Sequence, residues 1–266
     1  MNEQSIINEW KKDSQSFDTI ANLYDKFRPE YPPELVEAVI NLSGILGGGR
    51  ILEIGSGTGK ATRLFARRGY SIHCIEQGCN LAAVAARNLQ EWPGVTFETN
   101  RFEESSDRFS DFDLVISAQA FHWVPKEIGY VKAARALKPG GALALFWNMY
   151  PGSHGQIDTD LERIYNAIAP ELGNPGTDSE EVIQERLQDI NASGCFGKVT
   201  LERFPWSQTY RTREYLGVLN TYSDHLRLSA AIRQRLFDAI SAAIDGHGGL
   251  VERNYVTVLY VAYKLS

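Results

Sequence analysis

Between residues 33 and 150 the apolar positions switch repeatedly between helical spacing and short unbroken runs, so helices and strands are predicted in alternation. Pro33 to Leu42 places Leu35, Val36, Val39 and Ile40 on one helical face, and Gly47-Gly48-Gly49 separates it from a strand at Ile51–Ile54. Lys60 to Arg68 returns to the helical period. Ser71–Ile75 is a second strand ending in Glu76, Leu81 to Leu89 a helix, and Val95 to Thr99 a third strand. Asp113–Ser117 and Ala142–Trp147 are continuous apolar runs, the mark of strands covered on both faces, with a helix over Glu127–Leu137 between them. This alternation predicts an α/β fold, a mostly parallel sheet with helices on both faces.

After Pro151 the pattern changes. Ile157, Leu161, Ile164, Tyr165 and Ile168 repeat at helical spacing, Gly173-Asn174-Pro175-Gly176 breaks the chain, and a helix is expected over Ser179–Ala192. Lys198–Phe204 and Tyr255–Tyr263 alternate like edge strands, with helices over Thr212–Tyr222 and Ser229–Asp245 between them. A chain of 266 residues can bury one α/β core and still carry a helical cap.

Charge and cysteine content narrow the function. The net charge of −6 and the lack of any Lys/Arg-rich block argue against a nucleic-acid partner or a bulky polyanion. Cys74, Cys79 and Cys195 lack metal-ligand spacing and read as reduced thiols, so no metal and a cytoplasmic setting are expected. The N-terminus, with Glu3, Glu9, Lys11, Lys12 and Asp13, has no apolar signal region, and no run is long enough to cross a bilayer; no membrane partner is expected, and either a monomer or a homodimer.

The chemistry concentrates where the first strand breaks into Gly55-Ser56-Gly57-Thr58-Gly59. Gly55 is expected to make the turn, Gly57 to let a ligand touch backbone, and Gly59 to let the next helix pack closely on the sheet. A dinucleotide fingerprint would place the third glycine one residue later, which counts against a nicotinamide dehydrogenase. Glu53, before the first glycine, favours a ligand with a cationic end. Glu76, about twenty residues on, stands where an acid accepts hydrogen bonds from two ribose hydroxyls, or caps a helix.

Glu53–Gly59 and Glu76 resemble the first two motifs of class I S-adenosylmethionine-dependent methyltransferases. Phe17–Asp25 with Arg28-Pro29-Glu30-Tyr31-Pro32, Ser117-Ala118-Gln119-Ala120-Phe121-His122-Trp123, and Leu137-Lys138-Pro139-Gly140-Gly141 are similar to further segments of its type 11 group, near trans-aconitate methyltransferase-like proteins. The resemblance spans roughly residues 15–150. It implies a Rossmann-like seven-stranded sheet with the last strand antiparallel and a helical cap over the cofactor. It divides the chain into an N-terminal lid (1–32), a cofactor-binding core (33–150) and the end of the sheet with an inserted cap (151–266), all one integrated domain.

The resemblance further implies S-adenosylmethionine as cofactor and a small-molecule acceptor, methylated on a carboxylate or hydroxyl oxygen; a non-catalytic binding module with a protein-interaction cap is the other reading. Cofactor contacts are expected from Tyr24, Tyr31, Glu53, Gly55, Ser56, Gly57, Thr58, Gly59, Glu76, Ser117, Ala118 and Gln119. Arg101 stands where Asp is frequent, so only Phe102 and Glu103 carry over as adenine neighbours. His122 could deprotonate a hydroxyl or hold a carboxylate, or it could form a structural pair with Trp123. Arg28, Trp123, Trp147 and Arg227 are the candidate acceptor residues. Tyr24, Tyr31, Phe121, Trp123, Trp147 and Tyr150 could cage a sulfonium or serve as plain core. Arg211, Arg213, His225 and Arg227, near Thr221-Tyr222-Ser223, read either as an anion site or as a solvated helix face. Asn or Asp followed by Pro-Pro, which would hold a flipped base, is absent from Ser117–Ala120.

Overall fold

The predicted apolar runs become the inner strands of a single seven-stranded sheet in the computed structural model, which describes residues 17–106, 110–152, 155–173 and 180–265. Its strands are β1 (Arg50–Ile54), β2 (Ser71–Glu76), β3 (Val95–Thr99), β4 (Phe112–Ala118), β5 (Leu137–Met149), β6 (Thr200–Arg211) and β7 (Leu250–Tyr263), in the order β3-β2-β1-β4-β5-β7-β6. Pairing is parallel from β3 through β5, and β7 runs antiparallel between β5 and β6.

Successive strand residues point to opposite faces, which is why the inner strands are apolar at most positions on both faces. Leu52, Val115, Leu143, Leu145 and Tyr260 join one core, and their neighbours Ile51, Leu114, Ile116, Ala144 and Val261 join the other. Helices α2 (Pro33–Ser43) and α3 (Lys60–Ala66) cover the second core; α5 (Lys126–Ala136) and α7 (Glu180–Ala192) cover the first. A third cluster joins α6 (Gln156–Ile168), α8 (Thr212–Leu219) and α10 (Ala230–Gly246) to Tyr210, Val251 and Tyr255 of the last two strands. Among the described residues no helix is long and apolar enough to cross a membrane.

Several boundaries differ from the sequence reading. β6 and β7 extend past Phe204 and before Tyr255, pairing Pro205–Arg211 with Leu250–Val256 as a two-stranded ribbon. Its polar residues, Ser207 and Thr209, face out, so the segment lacks a strand's apolar signature. The helix expected over Thr212–Tyr222 stops at Leu219, where the Thr221 hydroxyl donates to the Val218 carbonyl at 2.6 Å, and a short α9 (Ser223–Arg227) follows. Leu137, assigned by periodicity to a helix, pairs with Phe112 in the sheet. The break at Asn174-Pro175-Gly176, the start of the Ser179 helix and residues 1–16 lie outside the described residues.

The N-terminal segment is tied down by carboxylates. The Asp18 carboxylate accepts from the Asn80 and Leu81 amides at 2.7 and 3.0 Å, capping α4 (Cys79–Asn88) at the end where its dipole favours negative charge. One helical stretch later Asp25 accepts from Asn88 Nδ2 at 2.9 Å, so α1 (Ala21–Phe27) lies along α4. On its other side α1 meets α8 at Gly217, where an added Cβ would fall 2.6 Å from the Phe27 ring.

One acid lies inside the sheet. Glu53 is fully buried in β1, and burial pushes its carboxyl up to about 8, with the Thr62 hydroxyl opposing and the Glu76 charge adding to the rise. Below pH 8 the native state thus holds a proton that the unfolded chain releases near its ordinary value of 4.5. The resulting stability is complete below that value and is lost as pH rises through 8.

Two outcomes are expected. Glu53→Gln should melt near the wild type at about pH 5 and gain on it steadily up to about pH 9; a constant difference in Tm across that range would mean that Glu53 is ionised in the native state. Gly217→Ala improves helix propensity by up to about 1 kcal/mol, but crowding Phe27 costs about 1–3 kcal/mol. A lowered Tm with faster amide exchange over Ala21–Phe27 is expected, and unchanged exchange there would show that the contact does not hold α1.

Candidate active site

Between β1 and α3 all three glycines adopt positive φ, +71° at Gly55, +56° at Gly57 and +83° at Gly59, a region that side chains disfavour. Their surroundings separate their roles. A Cβ on Gly55 would lie 2.4 Å from Ala120 Cβ, so this turn lets the loop after β4 close against it. A Cβ on Gly59 would lie 2.6 Å from Leu89 Cδ1; the close approach is therefore to the end of α4, not to the sheet as expected. At Gly57 the nearest atom is Tyr24 Cε1 at 3.9 Å, so the missing side chain leaves open space.

Glu76 fastens this loop to the next one. Its Oε2 accepts from the Gly57 amide and its Oε1 from the Gly78 amide, each at 2.8 Å. The carboxylate is buried, and burial raises its pKa against the pull of these amides. Both oxygens retain further lone pairs, and the residue lines the cleft.

That cleft, about 1000 Å³, opens at the carboxyl ends of β1, β2 and β4, where α/β sheets bind ligands. Its walls include Gly55, Gly57, Glu76, Phe102, Glu103, Ala118, Gln119, His122 and Trp123. A recess of about 30 Å³ adjoins it, lined by Tyr24, Arg28, Tyr31, Ser56, Thr58, Lys60 and Asn148. Tyr24, Arg28, Gly55, Gly57, Ala118 and Gln119 face both spaces. Glu53, Gly59, Ser117, Trp147 and Arg227 line neither. Ser117 is spent inside the fold, its hydroxyl donating to the Ile54 carbonyl at 2.7 Å, and Arg227 is exposed outside.

Polar atoms are left unmatched around the recess. Ser56 Oγ, Thr58 Oγ1 and Arg28 Nε are buried without a hydrogen-bond partner, as is Glu53 Oε1 beneath the loop. Native proteins seldom leave such groups unpaired, so their concentration at one place fits a polar ligand. Gln119 adds a strained backbone: its φ of +59° is the one positive value outside glycine among the described residues. Its amide donates to the Phe146 carbonyl at 3.0 Å and its side chain to the Asn148 carbonyl at 3.3 Å, which hold this conformation at the mouth of the recess.

Arg28 occupies the seam between the N-terminal segment and the cap. Its guanidinium donates to the Thr221 carbonyl at 2.8 Å and lies 4.4 Å from the Tyr222 ring centroid, 5.2 Å from that of Tyr24 and 5.8 Å from that of Phe17. No carboxylate among the described residues pairs with it. Tyr31 packs edge-on against Phe146 at 5.1 Å.

On the far wall His122 faces the cleft, and its Nδ1 accepts from Trp147 Nε1 at 3.2 Å. The His122 ring is open to the cleft on one side; desolvation by the protein packed around the rest of it, with the nearby Arg186 charge, lowers its pKa from the ordinary value. Trp123 lies tilted beside it, ring centroids 4.7 Å apart, and meets Phe17 edge-on at 6.1 Å. Trp147 itself is buried within β5. Among the described residues no group of three His, Cys, Asp or Glu side chains could hold a metal ion.

Phe17, Gln77, Lys126, Tyr222 and Ser223, which line the cleft, and Lys60 of the recess were not expected from the sequence; Asn100 and Asn148, each directly after a predicted strand, were expected at the site and line the cleft and the recess respectively. Tyr222 and Ser223 had no local signal, since only the fold of the cap brings them to the sheet.

Comparison with known proteins agrees with this geometry. Residues 52–145 match the family model described as a methyltransferase domain. An uncharacterized methyltransferase of Schizosaccharomyces pombe is 30% identical over 257 residues, covering 94% of this chain and 98% of the relative. A protein of Anaeromyxobacter dehalogenans described as a candidate type II methyltransferase superposes with a TM-score of 0.62 at 21% identity, over 90% of this chain and 97% of the other. A Haemonchus contortus phosphoethanolamine N-methyltransferase bound to S-adenosylhomocysteine superposes with a TM-score of 0.56 at 16% identity, over 98% of this chain; the chain spans 60% of that protein. Related along nearly its whole length to one methyltransferase, and matched through its core by the methyltransferase-domain model, this chain belongs to the S-adenosylmethionine-dependent methyltransferases.

Proposed function

We propose that the enzyme methylates an oxygen, carboxylate or hydroxyl, of a small acidic molecule. The observation that carries this reading is Arg28, a guanidinium that lines both the cleft and the recess and pairs with no carboxylate among the described residues. An unneutralised charge among aromatic rings is costly unless a ligand supplies the counter-charge. The volume of about 1000 Å³ lies at the upper end of small-molecule sites, roughly 300–1000 Å³, and leaves room for a cofactor and a small acceptor together. Resemblance to trans-aconitate methyltransferase-like proteins agrees with an acidic acceptor.

S-adenosylmethionine, when bound, supplies an electrophilic methyl group on a sulfonium that leaves as a neutral thioether. The chain's residues have the tasks of binding, orienting and excluding water. In this reading Glu76 receives the ribose, Phe102 and Glu103 flank the adenine, and Gly55, Gly57, Ala118 and Gln119 offer backbone to the methionine portion. Ser56, Thr58 and Tyr31 close the recess. Tyr24 and Trp123 shield the sulfonium, with Arg28 toward the acceptor. Residues 1–32 act as a lid and the helices after Pro151 select the acceptor. A reducing, cytoplasmic setting is in keeping with three free cysteines, Cys74, Cys79 and Cys195.

Turnover with a labelled methyl donor over a panel of small carboxylic acids and hydroxy compounds tests the reading; methylation confined to amines would overturn it. Gly57→Val combines strain at a φ of +56° with a side chain in the open space above the loop, so loss of at least tenfold in S-adenosylhomocysteine affinity is expected by calorimetry. An unchanged Kd would remove Gly57 from the cofactor site. Arg28→Met should raise KM for an acidic acceptor about tenfold or more, leaving the S-adenosylhomocysteine Kd within about twofold. The reverse pattern would assign Arg28 to the cofactor's own carboxylate and withdraw the support for an acidic acceptor.

A further inference from the structure

The contact between Trp147 and His122 decides which nitrogen of His122 carries its proton. An indole N–H can only donate, so His122 Nδ1, accepting from it at 3.2 Å, must present a lone pair. In the neutral ring the proton then sits on Nε2. No described residue accepts from Nε2, and the ring is exposed where it lines the cleft. The site thus presents a hydrogen-bond donor, with the basic lone pair turned away from it.

Trp147 is well suited to hold that arrangement. It is only 3% exposed, paired through β5 with Val258 of β7, and wedged edge-on against Tyr260 with ring centroids 5.8 Å apart. On its ring face the Arg186 guanidinium of α7 lies 4.1 Å from the centroid. The donor to His122 therefore rides on a central strand, not on a loop. Arg186 is also the charged group whose field reaches His122, and it acts against a second proton on the ring.

We propose that Trp147 is a positioning residue that locks His122 as the Nε2–H tautomer, so that His122 donates a hydrogen bond to the acceptor oxygen and does not act as a general base. This rests on the reading of an oxygen acceptor. It also sharpens that reading: with no base at this position, the acceptor oxygen must arrive already ionised. A carboxylate meets that requirement and an aliphatic alcohol does not.

The tautomer can be read without any acceptor. In two-bond ¹H–¹⁵N correlation spectra of the full-length protein, the His122 signals are identified among the five histidines by their loss in His122→Gln. A lone-pair-type shift at Nδ1, an N–H-type shift at Nε2 and no titration between about pH 5.5 and 8 are expected. In Trp147→Phe both nitrogens should move toward averaged shifts and the ring should titrate nearer its ordinary value. A proton on Nδ1, or identical His122 spectra in the wild type and Trp147→Phe, would overturn the tautomer lock whatever the enzyme methylates.

Kinetics with an acceptor found by the panel test the donor role. His122→Gln, which keeps an N–H, should retain more activity than His122→Leu. Trp147→Phe should lower kcat about tenfold with an unchanged Kd for S-adenosylhomocysteine. Equal loss in Gln and Leu variants, with a wild-type rate profile that falls below a histidine-like pKa, would make His122 a base and refute the proposal. If the spectra show the lock and only alcohols are methylated, the oxygen-acceptor reading survives and the donor role fails.

Discussion

A single buried carboxylate governs how this site is assembled. Glu76 ends β2 and receives one amide from the glycine loop after β1 and another from the turn into α4, 2.8 Å each, so two loops that belong to different βα units share one charge. Backbone amides are the partners that can satisfy a buried carboxylate without adding an opposing charge to the cleft. Were the two loops free of each other, the positive-φ turn at Gly57 would lose its main polar anchor, and the cleft would lose its floor.

Around that anchor the protein divides the work between rigid and linked parts. The floor is sheet: Gly55, Glu76, Ala118 and the His122–Trp147 contact are set by strands buried on both faces. The roof is built from pieces far apart in sequence. Asp18 and Asp25 strap α1 to α4, Gly217 lets Phe27 press against α8, and Arg28 donates to the Thr221 carbonyl of the cap. The N-terminal segment therefore touches both the glycine loop and the cap. Arg28, at that seam, pairs with no carboxylate among the described residues.

Within the cap, buried polar groups are paired more fully. The Tyr165 hydroxyl and His225 Nε2 are 2.8 Å apart, and His225 Nδ1 is 2.7 Å from Asp224, which fastens α9 to α6. Arg253 of β7 donates to the Tyr150 hydroxyl at 2.8 Å and pairs with Asp158. His225, which in sequence could have joined Arg211, Arg213 and Arg227 in an anion site, is instead spent in this network, and Arg227 faces outward. The contrast with the unmatched Ser56, Thr58 and Arg28 atoms indicates where the molecule expects a ligand.

The sequence alone determined the sheet's inner strands, the glycine loop and Glu76, because each depends on local requirements: unbroken apolar runs for strands buried on both sides, glycine for positive φ, an acid at a strand end. It also marked His122 and Arg28 as residues with chemistry to offer. What those residues do was decided by tertiary structure. Gly59 proved to serve α4, Ser117 to bind the β1 carbonyl, Glu53 to lie neutral beneath the loop, and Trp147 to face His122 from inside β5. Tyr222 and Ser223 reached the cleft only because the cap folds back on the sheet. Such roles depend on which groups meet across a hundred or more residues of chain, and neither hydrophobic period nor motif spacing encodes those meetings.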